Sequence, residues 1–592
     1  MEKWYIEVKR ADFDGIAKRF HISPVVARLL RNRDVIGDEQ IDLFLNGKKE
    51  DLYDPFLMAD MEKAVMLVRD YLQEGKKIRI IGDYDIDGIC SAFILQKGFS
   101  FLAEKAGRAD CIDVVIPHRI EDGYGLNDRL ITQAGEDGIE VIVTCDNGIA
   151  AGAQIAYAKK LGISVIVTDH HEVPFEQEGD KRRYLLPEAE AVVDPKREDC
   201  SYPFKGICGG VVAYKLILGL VLQREKEGCI EKEETKALLD ECFAFAAFAT
   251  VGDVMELKDE NHVLVKHGLK AIASSSNFGL QALIEQCGLK DKELTTYHIG
   301  FILGPCFNAS GRLDSAERIL ELLHAPSKRE AMVIARELRE INAKRQELTG
   351  KGLEEAIELV EKQGLSKDRV LVVYLPDVHE SLAGIIAGRL RERYGKPVFV
   401  LTDGEEGIKG SGRSIDAYHM YEEMTKVKDI FLKFGGHKMA AGLSLPKGSA
   451  EEFRKRINSV CTLQEEDFVE RIMIDVPMPI DYVSADLLSQ MQCLKPYGTG
   501  NKEPSFAQKG VILQGFSLIG KQKNVAKGRV VSDGGVSFEG IYFKDSAAFM
   551  EKIQKYGNKA DIIYTPEENT FRGQTSIQIV IKYIKFPGEE TI

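Results

Sequence analysis

Between about residue 60 and 325, short runs of Val and Ile alternate with stretches of helical periodicity. KKIRIIG (76–82) predicts a strand, followed by the helical SAFILQKGFSFLAEKAG. GIEVIVTC (138–145) predicts a second strand and GAQIAYAKKLG its helix; ISVIVT (163–168) and AEAVVD (189–194) predict two more strands. Strands of this composition alternating with helices imply a parallel sheet covered on both faces.

Residues 328–362 are rich in Glu, Ala, Lys, Arg and Leu, lack Pro and keep a helical period, which predicts one long connecting helix. A second α/β unit follows over 363–462, with strands RVLVVYL and KPVFVLT around the helix GIIAGRLRERYG. From 463 onward, short strands separated by turns dominate: KGVILQGFSLIG, GVSFEGIYF and TSIQIVIKYIKF. Ile577, Ile579 and Ile581 alternate with Gln578 and Lys582, the period of a half-buried strand, and a small closed β-barrel fits the region. The expected class is therefore α/β: two lobes with parallel sheets joined by a long helix, plus a C-terminal barrel. Residues 1–50 form a helical lead-in and 51–327 the first lobe.

At 592 residues the chain exceeds what one hydrophobic core usually supports, in keeping with several domains. The net charge of −14 argues against a protein that coats nucleic acid by bulk electrostatics, so any contact with a polyanion must come from a local groove. No run reads as long and apolar enough to span a membrane, and MEKWYIEVKRADFDG has no apolar signal core; a cytoplasmic location is the expectation. Eleven scattered cysteines without a C-x-x-C pair read as reduced thiols.

The informative feature is where the acids fall. IRIIG runs into Asp83, Asp85 and Asp87, VIVTC into Asp146, and VIVT into Asp169, His170 and His171, while FAAFATVG reaches Asp253. The carboxyl ends of strands in an open parallel sheet line the ligand crevice. One D-x-D after a strand is usually a turn or a helix cap; four clusters, three of them directly after Val/Ile strands, point to one shared rim. Carboxylates so gathered repel one another unless neutralised, and divalent cations do this. Carboxylate and imidazole donors suit manganese or magnesium, and a pair of such ions can stabilise both attacking and leaving oxygens of a phosphoryl displacement.

At these residues the chain resembles the DHH phosphoesterase family, and within it the nucleases specific for single-stranded DNA. DYDIDG, DNG, DHH and GD occur in the family's order, and FGGHKMAAG resembles the signature of its associated second domain. IPHRIEDGYGLN, GPCFNASGRL, GSGRS and LKPYGTGNKEP extend the likeness across nearly the whole chain. The resemblance implies two divalent cations, manganese or magnesium, with Asp85 and Asp87 on separate ions, Asp146 bridging, His170 and Asp253 completing the ligand set of the second ion, and Asp83 as a further ligand. It implies His171 on the scissile phosphate, whereas Asp169 reads physically as the carboxylate that orients a ligand histidine. Arg119, Asn308 and Arg312 would bind substrate phosphate, and Ser411, Arg413 and His437 would face the same cleft from the second lobe. Cys306 departs from the family pattern, which often has arginine there. The terminal barrel resembles the oligonucleotide-binding fold, with Tyr497, Phe506, Tyr542 and Phe571 available for stacking. The implied activity is 5′-to-3′ removal of nucleotides from single-stranded DNA in repair and recombination, beside a single-strand-binding protein and a helicase. Two alternatives stay open: a hydrolase of short oligoribonucleotides or cyclic dinucleotides, and a binding module with a degenerate site.

Overall fold

The computed structural model describes residues 2–589 except 109, 119–124, 180, 314, 406, 522 and 572. Five parallel strands form the first sheet in the order Ile112–Val115, Ile78–Ile81, Val141–Cys145, Ser164–Thr168, Ala191–Val193. Ile78–Ile81 and Val141–Cys145 are buried along their whole length, as near-continuous apolar runs require when both faces are covered. On one face lies a core containing Phe93, Phe99, Ile217 and Phe245; on the other, Leu130, Ile131, Ile155 and Val165. The helix Ile86–Lys105 is apolar and long enough to cross a membrane, yet it is the central element of the first core.

That helix begins five residues earlier than the periodicity suggests. Asp85 caps it by accepting the amides of Asp87 and Gly88, so the second and third acids of DYDIDG belong to a helix start, not to an open loop. Gly88 is required there, because a Cβ would sit 2.5 Å from the backbone nitrogen of Asp83.

The long helix spans Lys328–Lys362, capped by Ser327. Ala331, Ala335 and Leu338 pack into the core of the first lobe, and Ala356 and Val360 into that of the second, so one element fixes the two lobes relative to each other. In the second lobe, Leu371–Tyr374 and Val398–Asp403 pair in parallel, and three antiparallel strands, Ile408–Arg413, Ala440–Leu445 and Lys433–Gly436, extend the sheet. The C-terminal barrel is built from five strands and closes by pairing of Phe506–Ile519 with Lys559–Phe571. The N-terminal segment is not purely helical. Glu2–Ile6 is a strand paired in parallel with Glu470–Ile474, and Val26, Leu29, Leu30 and Phe44 of the following helices pack into the barrel's core.

A buried ion pair ties the helices behind the first sheet. Lys215, on the helix Gly209–Lys226, meets Glu260 at 3.1 Å with both side chains inaccessible, and Tyr202 Oη donates to the same carboxylate. Removing one partner of such a pair strands a charge. Glu260→Ala is expected to lower stability by about 3–5 kcal/mol, whereas Lys215→Met combined with Glu260→Leu loses much less. Urea-unfolding midpoints of the two variants check this.

Candidate metal centre

Each acid singled out by the sequence reaches the rim at the carboxyl ends of the first sheet's strands. Asp146 follows Val141–Cys145 and adopts φ +60°, a left-handed conformation that aspartate tolerates better than most residues. Its turn is pinned by Asn147, whose Nδ2 donates to Ile81 O at 3.0 Å and to Cys145 O at 2.9 Å. Asp253 caps the C-terminal end of the helix Lys232–Gly252, and Val254 after it takes φ +58°, which is strained for a β-branched residue. Strain of this kind persists where surrounding structure imposes it, commonly at functional sites.

Two donor groups lie side by side. Asp83, Asp85 and Asp146 each place an oxygen within 4.8 Å of the others; oxygens of Asp87 and Asp253 and a ring nitrogen of His170 lie equally close, and Asp146, His170 and His171 form a further group that overlaps both. His170 Nε2 lies 3.0 Å from Asp146 Oδ1, 3.4 Å from Asp87 Oδ2 and 3.8 Å from Asp253 Oδ2, so it joins the groups. Burial, reinforced by Asp87 and Asp85, pushes the Asp146 carboxyl well above its ordinary value and raises that of Asp253 to about 8. Burial also raises the neighbouring Cys145 and Cys208 thiols far above theirs, which leaves oxygen and imidazole nitrogen as the donors. Buried carboxylates that resist ionisation alone, in two adjacent sets of hard donors, fit a pair of manganese or magnesium ions.

The two histidines differ. Burial depresses the His170 imidazole, which keeps it neutral, the form that ligates a metal. Burial also opposes charge on His171, but the hydrogen bond to Asp169 (Nδ1 to Oδ1, 2.7 Å) and the field of Asp87 and Asp253 raise it to about 9. Asp169 therefore orients the ring of His171, not that of His170; to His170 it offers an acceptor for the backbone amide, at 2.7 Å, and a field that opposes the effect of burial. Its other oxygen accepts the Ile149 amide at 2.9 Å, which couples the DHH and DNG turns.

A pocket of about 240 Å³ opens over the cluster, lined by Asp83, Tyr84, Asp85, Asp253, Asn308 and Arg312 among others. Gly311 lies so close to Tyr84 that a Cβ would be 2.6 Å from its carbonyl oxygen, which seats the Arg312 helix on the metal motif. Arg312 Nη1 donates to Ser381 O at 2.8 Å, crossing from the first lobe to the second. Ser381 lies in the first turn of the helix Glu380–Tyr394, and a Cβ on Gly384 would lie 2.9 Å from Arg413 Nη2 and 3.6 Å from Ser411 Cβ. Arg312, Ser411 and Arg413 are thus gathered at one helix N-terminus. His437 is exposed on a hairpin, its amide donating to Ala440 O, and among the described residues no hydrogen bond or ion pair joins it to the cluster. Arg119 lies outside the described residues. Cys306 is buried against the long helix, with Asn342 Nδ2 donating to its sulfur at 3.6 Å.

Sequence reasoning missed Gly209 and Gly210. Their amides donate to the two oxygens of Asp87, each at 2.7 Å, so this carboxylate is held at a helix N-terminus. A Cβ on Gly209 would sit 2.8 Å from Asp146 Cβ, and one on Gly210 2.7 Å from Ala249 Cβ. Asp194, at the end of the fifth strand, was passed over too; burial and then Asp169 raise its carboxyl to about 8, and its place after AVV was the available signal.

Three family descriptions match the chain: the DHH family N-terminal domain over residues 77–246, the DHHA1 domain over 367–463 and the RecJ OB domain over 474–583. The chain is 34% identical over 528 residues to the single-stranded-DNA-specific exonuclease RecJ of Bacillus subtilis, covering 88% of this chain and 63% of that longer protein. It is 33% identical to the protein of the same name from Salmonella typhimurium, covering 97% of this chain and 98% of that one. The crystal structure of RecJ in complex with Mn2+ from Thermus thermophilus superposes with a TM-score of 0.79 at 25% identity, covering 99% of this chain and 79% of that one. With near-complete coverage of a relative at one-third identity, and with all three domains in order, the chain belongs to the RecJ family of DHH proteins.

Proposed function

We propose that the protein is an exonuclease that removes nucleotides 5′ to 3′ from single-stranded DNA, in repair and recombination, using two divalent cations. The observation that carries this reading is the pair of adjacent donor groups bridged by Asp146 and His170 beneath a pocket walled by Asn308 and Arg312. Asp83, Asp85 and Asp146 would hold one cation, and Asp87, Asp146, His170 and Asp253 the other. Bound there, such ions activate water and stabilise charge on the attacking and leaving oxygens.

The chain's own residues supply the rest. The Gly209 and Gly210 amides fix both Asp87 oxygens, so the carboxylate is presented in one orientation. His171, held by Asp169 and partly exposed, offers a cationic Nε2 edge to a non-bridging phosphate oxygen. Arg312, reaching Ser381, with Arg413 and Ser411 near the start of the same helix, would form a cationic site between the lobes, suited to a terminal phosphate. A cleft bounded by both lobes favours a single strand over a duplex, and the barrel would guide the incoming strand. A single-strand-binding protein and a helicase are the partners this reading calls for. Activity on short oligoribonucleotides or cyclic dinucleotides is the lesser reading, since the match to an OB domain favours a longer strand. End-labelled, 5′-phosphorylated single-stranded DNA set against duplex and RNA tests substrate class and polarity together.

Asp146→Ala is expected to lower manganese-dependent degradation of a single-stranded oligonucleotide by roughly a thousandfold, equivalent to about 4 kcal/mol of barrier. Calorimetric titration with Mn2+ should show weakened binding in the same variant. Asp169→Asn removes the anchor of His171; kcat should fall by about a hundredfold with Mn2+ affinity much less affected. Equal losses of both would assign Asp169 to metal binding. Gly209→Ala, which forces a methyl against Asp146, is expected to reduce Mn2+ affinity by about ten- to a hundredfold while circular dichroism stays that of the parent.

A further inference from the structure

The barrel aromatics offered by the sequence are committed to packing. Phe506 is fully buried, Tyr542 stacks on Phe549 at 4.7 Å, and Tyr497 is half-buried with its hydroxyl near Met491 O. The side chain of Phe571 lies outside the described residues. A different ring pair faces solvent. Tyr297 and Phe301 stack with centroids 5.1 Å apart and planes 25° apart, yet are 60% and 67% exposed. Two large rings paired at the surface instead of in a core mark a contact site.

Their position indicates what they contact. The chain is helical from Thr296 to Leu313, with a π turn over Ile299–Leu303, an irregularity frequent at functional sites. Tyr297, Phe301, Pro305, Asn308 and Arg312 are not buried, while Ile299, Leu303, Cys306, Phe307 and Ala309 are. Spacings of three and four place the former set on one helical face. The face that begins with the stacked rings therefore ends with Asn308 and Arg312 in the wall of the metal pocket, roughly 10 Å from Phe301 to Asn308 along the axis. At the other end, Thr296 Oγ1 donates to Tyr497 O at 2.6 Å and Leu257 N to Thr499 O at 2.7 Å, which seats the KPYGTGN loop of the barrel body beside the rings. The aromatic pair thus occupies the seam between barrel and metal pocket.

We propose that Tyr297 and Phe301 form a stacking platform for the bases of a single strand passing from the barrel seam to the metal pocket. This rests on the nuclease reading above and adds the residues that hold the strand outside the reacting phosphate. Every base has a π face, so the platform would be tolerant of sequence.

The test uses the full chain. In EDTA, fluorescence anisotropy of a labelled single-stranded DNA oligonucleotide should show about tenfold weaker binding for Tyr297→Ala/Phe301→Ala. With Mn2+, KM for the long strand should rise by a similar factor, while kcat and hydrolysis of a 5′-phosphorylated dinucleotide stay at the parent level. Tyr297→Trp/Phe301→Trp should bind as the parent does, and Phe301→Leu, apolar but without a ring face, should lose affinity. Unchanged affinity and KM in the double alanine variant would overturn the platform and leave the pair as a docking face for another protein. Equal losses on dinucleotide and long strand would also overturn it, since the effect would then lie in the metal pocket. If the parent binds the strand and degrades nothing, the nuclease reading fails, and the anisotropy comparison still decides the platform.

Discussion

Burying several carboxylates within a few ångströms of one another is the constraint around which the first lobe is organised. Asp83, Asp87, Asp146 and Asp169 are all nearly inaccessible, and each would be costly as an isolated ion. The chain answers differently at each. Asp87 takes two backbone amides from a helix N-terminus, Asp169 takes three amides and an imidazole, and Asp85 caps its own helix. For Asp146 and Asp253, and for Asp85 despite its two amides, burial and neighbouring acids dominate, and their carboxyls are raised. The residual repulsion lies at the junction of the two donor groups, where a dication would have the largest effect. The left-handed backbone of Asp146 and the strained one of Val254 fall beside the same junction.

The same constraint explains the close approach of elements that have no chemistry of their own. Gly88, Gly209, Gly210 and Gly311 leave no room for a Cβ, and each lets a backbone come against an acidic motif or its helix. Carboxylates are oriented by amides only if those amides can reach them. The long helix extends this logic between lobes. It is packed at one end into the first core and at the other into the second, so Arg312 can span to Ser381 without either surface having to move.

Much of this was legible in the sequence, and the limits have physical causes. Val/Ile runs ending in acids located the sheet, its polarity and the rim, because a buried parallel strand has little freedom in composition. The pattern places the first three acids after a strand, whereas Asp87 lies in a helical turn; a side-chain cap is invisible in hydropathy. Gly209 and Gly210 look like any glycines before an apolar helix until folding brings them to Asp87. Likewise, Glu2–Ile6 carries no signal that its partner is Glu470–Ile474, since pairing across the whole chain is set by tertiary packing. The alternation at Ile577, Ile579 and Ile581 predicts one buried face, whereas residues 578–581 are buried in succession because both sides of the strand are covered there; nor does it tell which aromatics lie inside, and Phe506 and Tyr542 are packed inward.

The adjacent histidines show how far local geometry overrides residue type. His170 and His171 are consecutive, both lie near Asp87, and their rings are 4.5 Å apart. Yet burial leaves His170 neutral and turned to the acids through Nε2, while Asp169 holds His171 through Nδ1 and favours its cation. A charged His170 would repel the cations that its position is suited to bind, and a neutral His171 would lose most of its attraction for phosphate. Opposite protonation preferences suit the proposed site, which would hold metal on one side and an anionic ester on the other. Asp169 charges the ring of His171 through a direct hydrogen bond, while burial holds the neighbouring His170 down against the field of the same carboxylate.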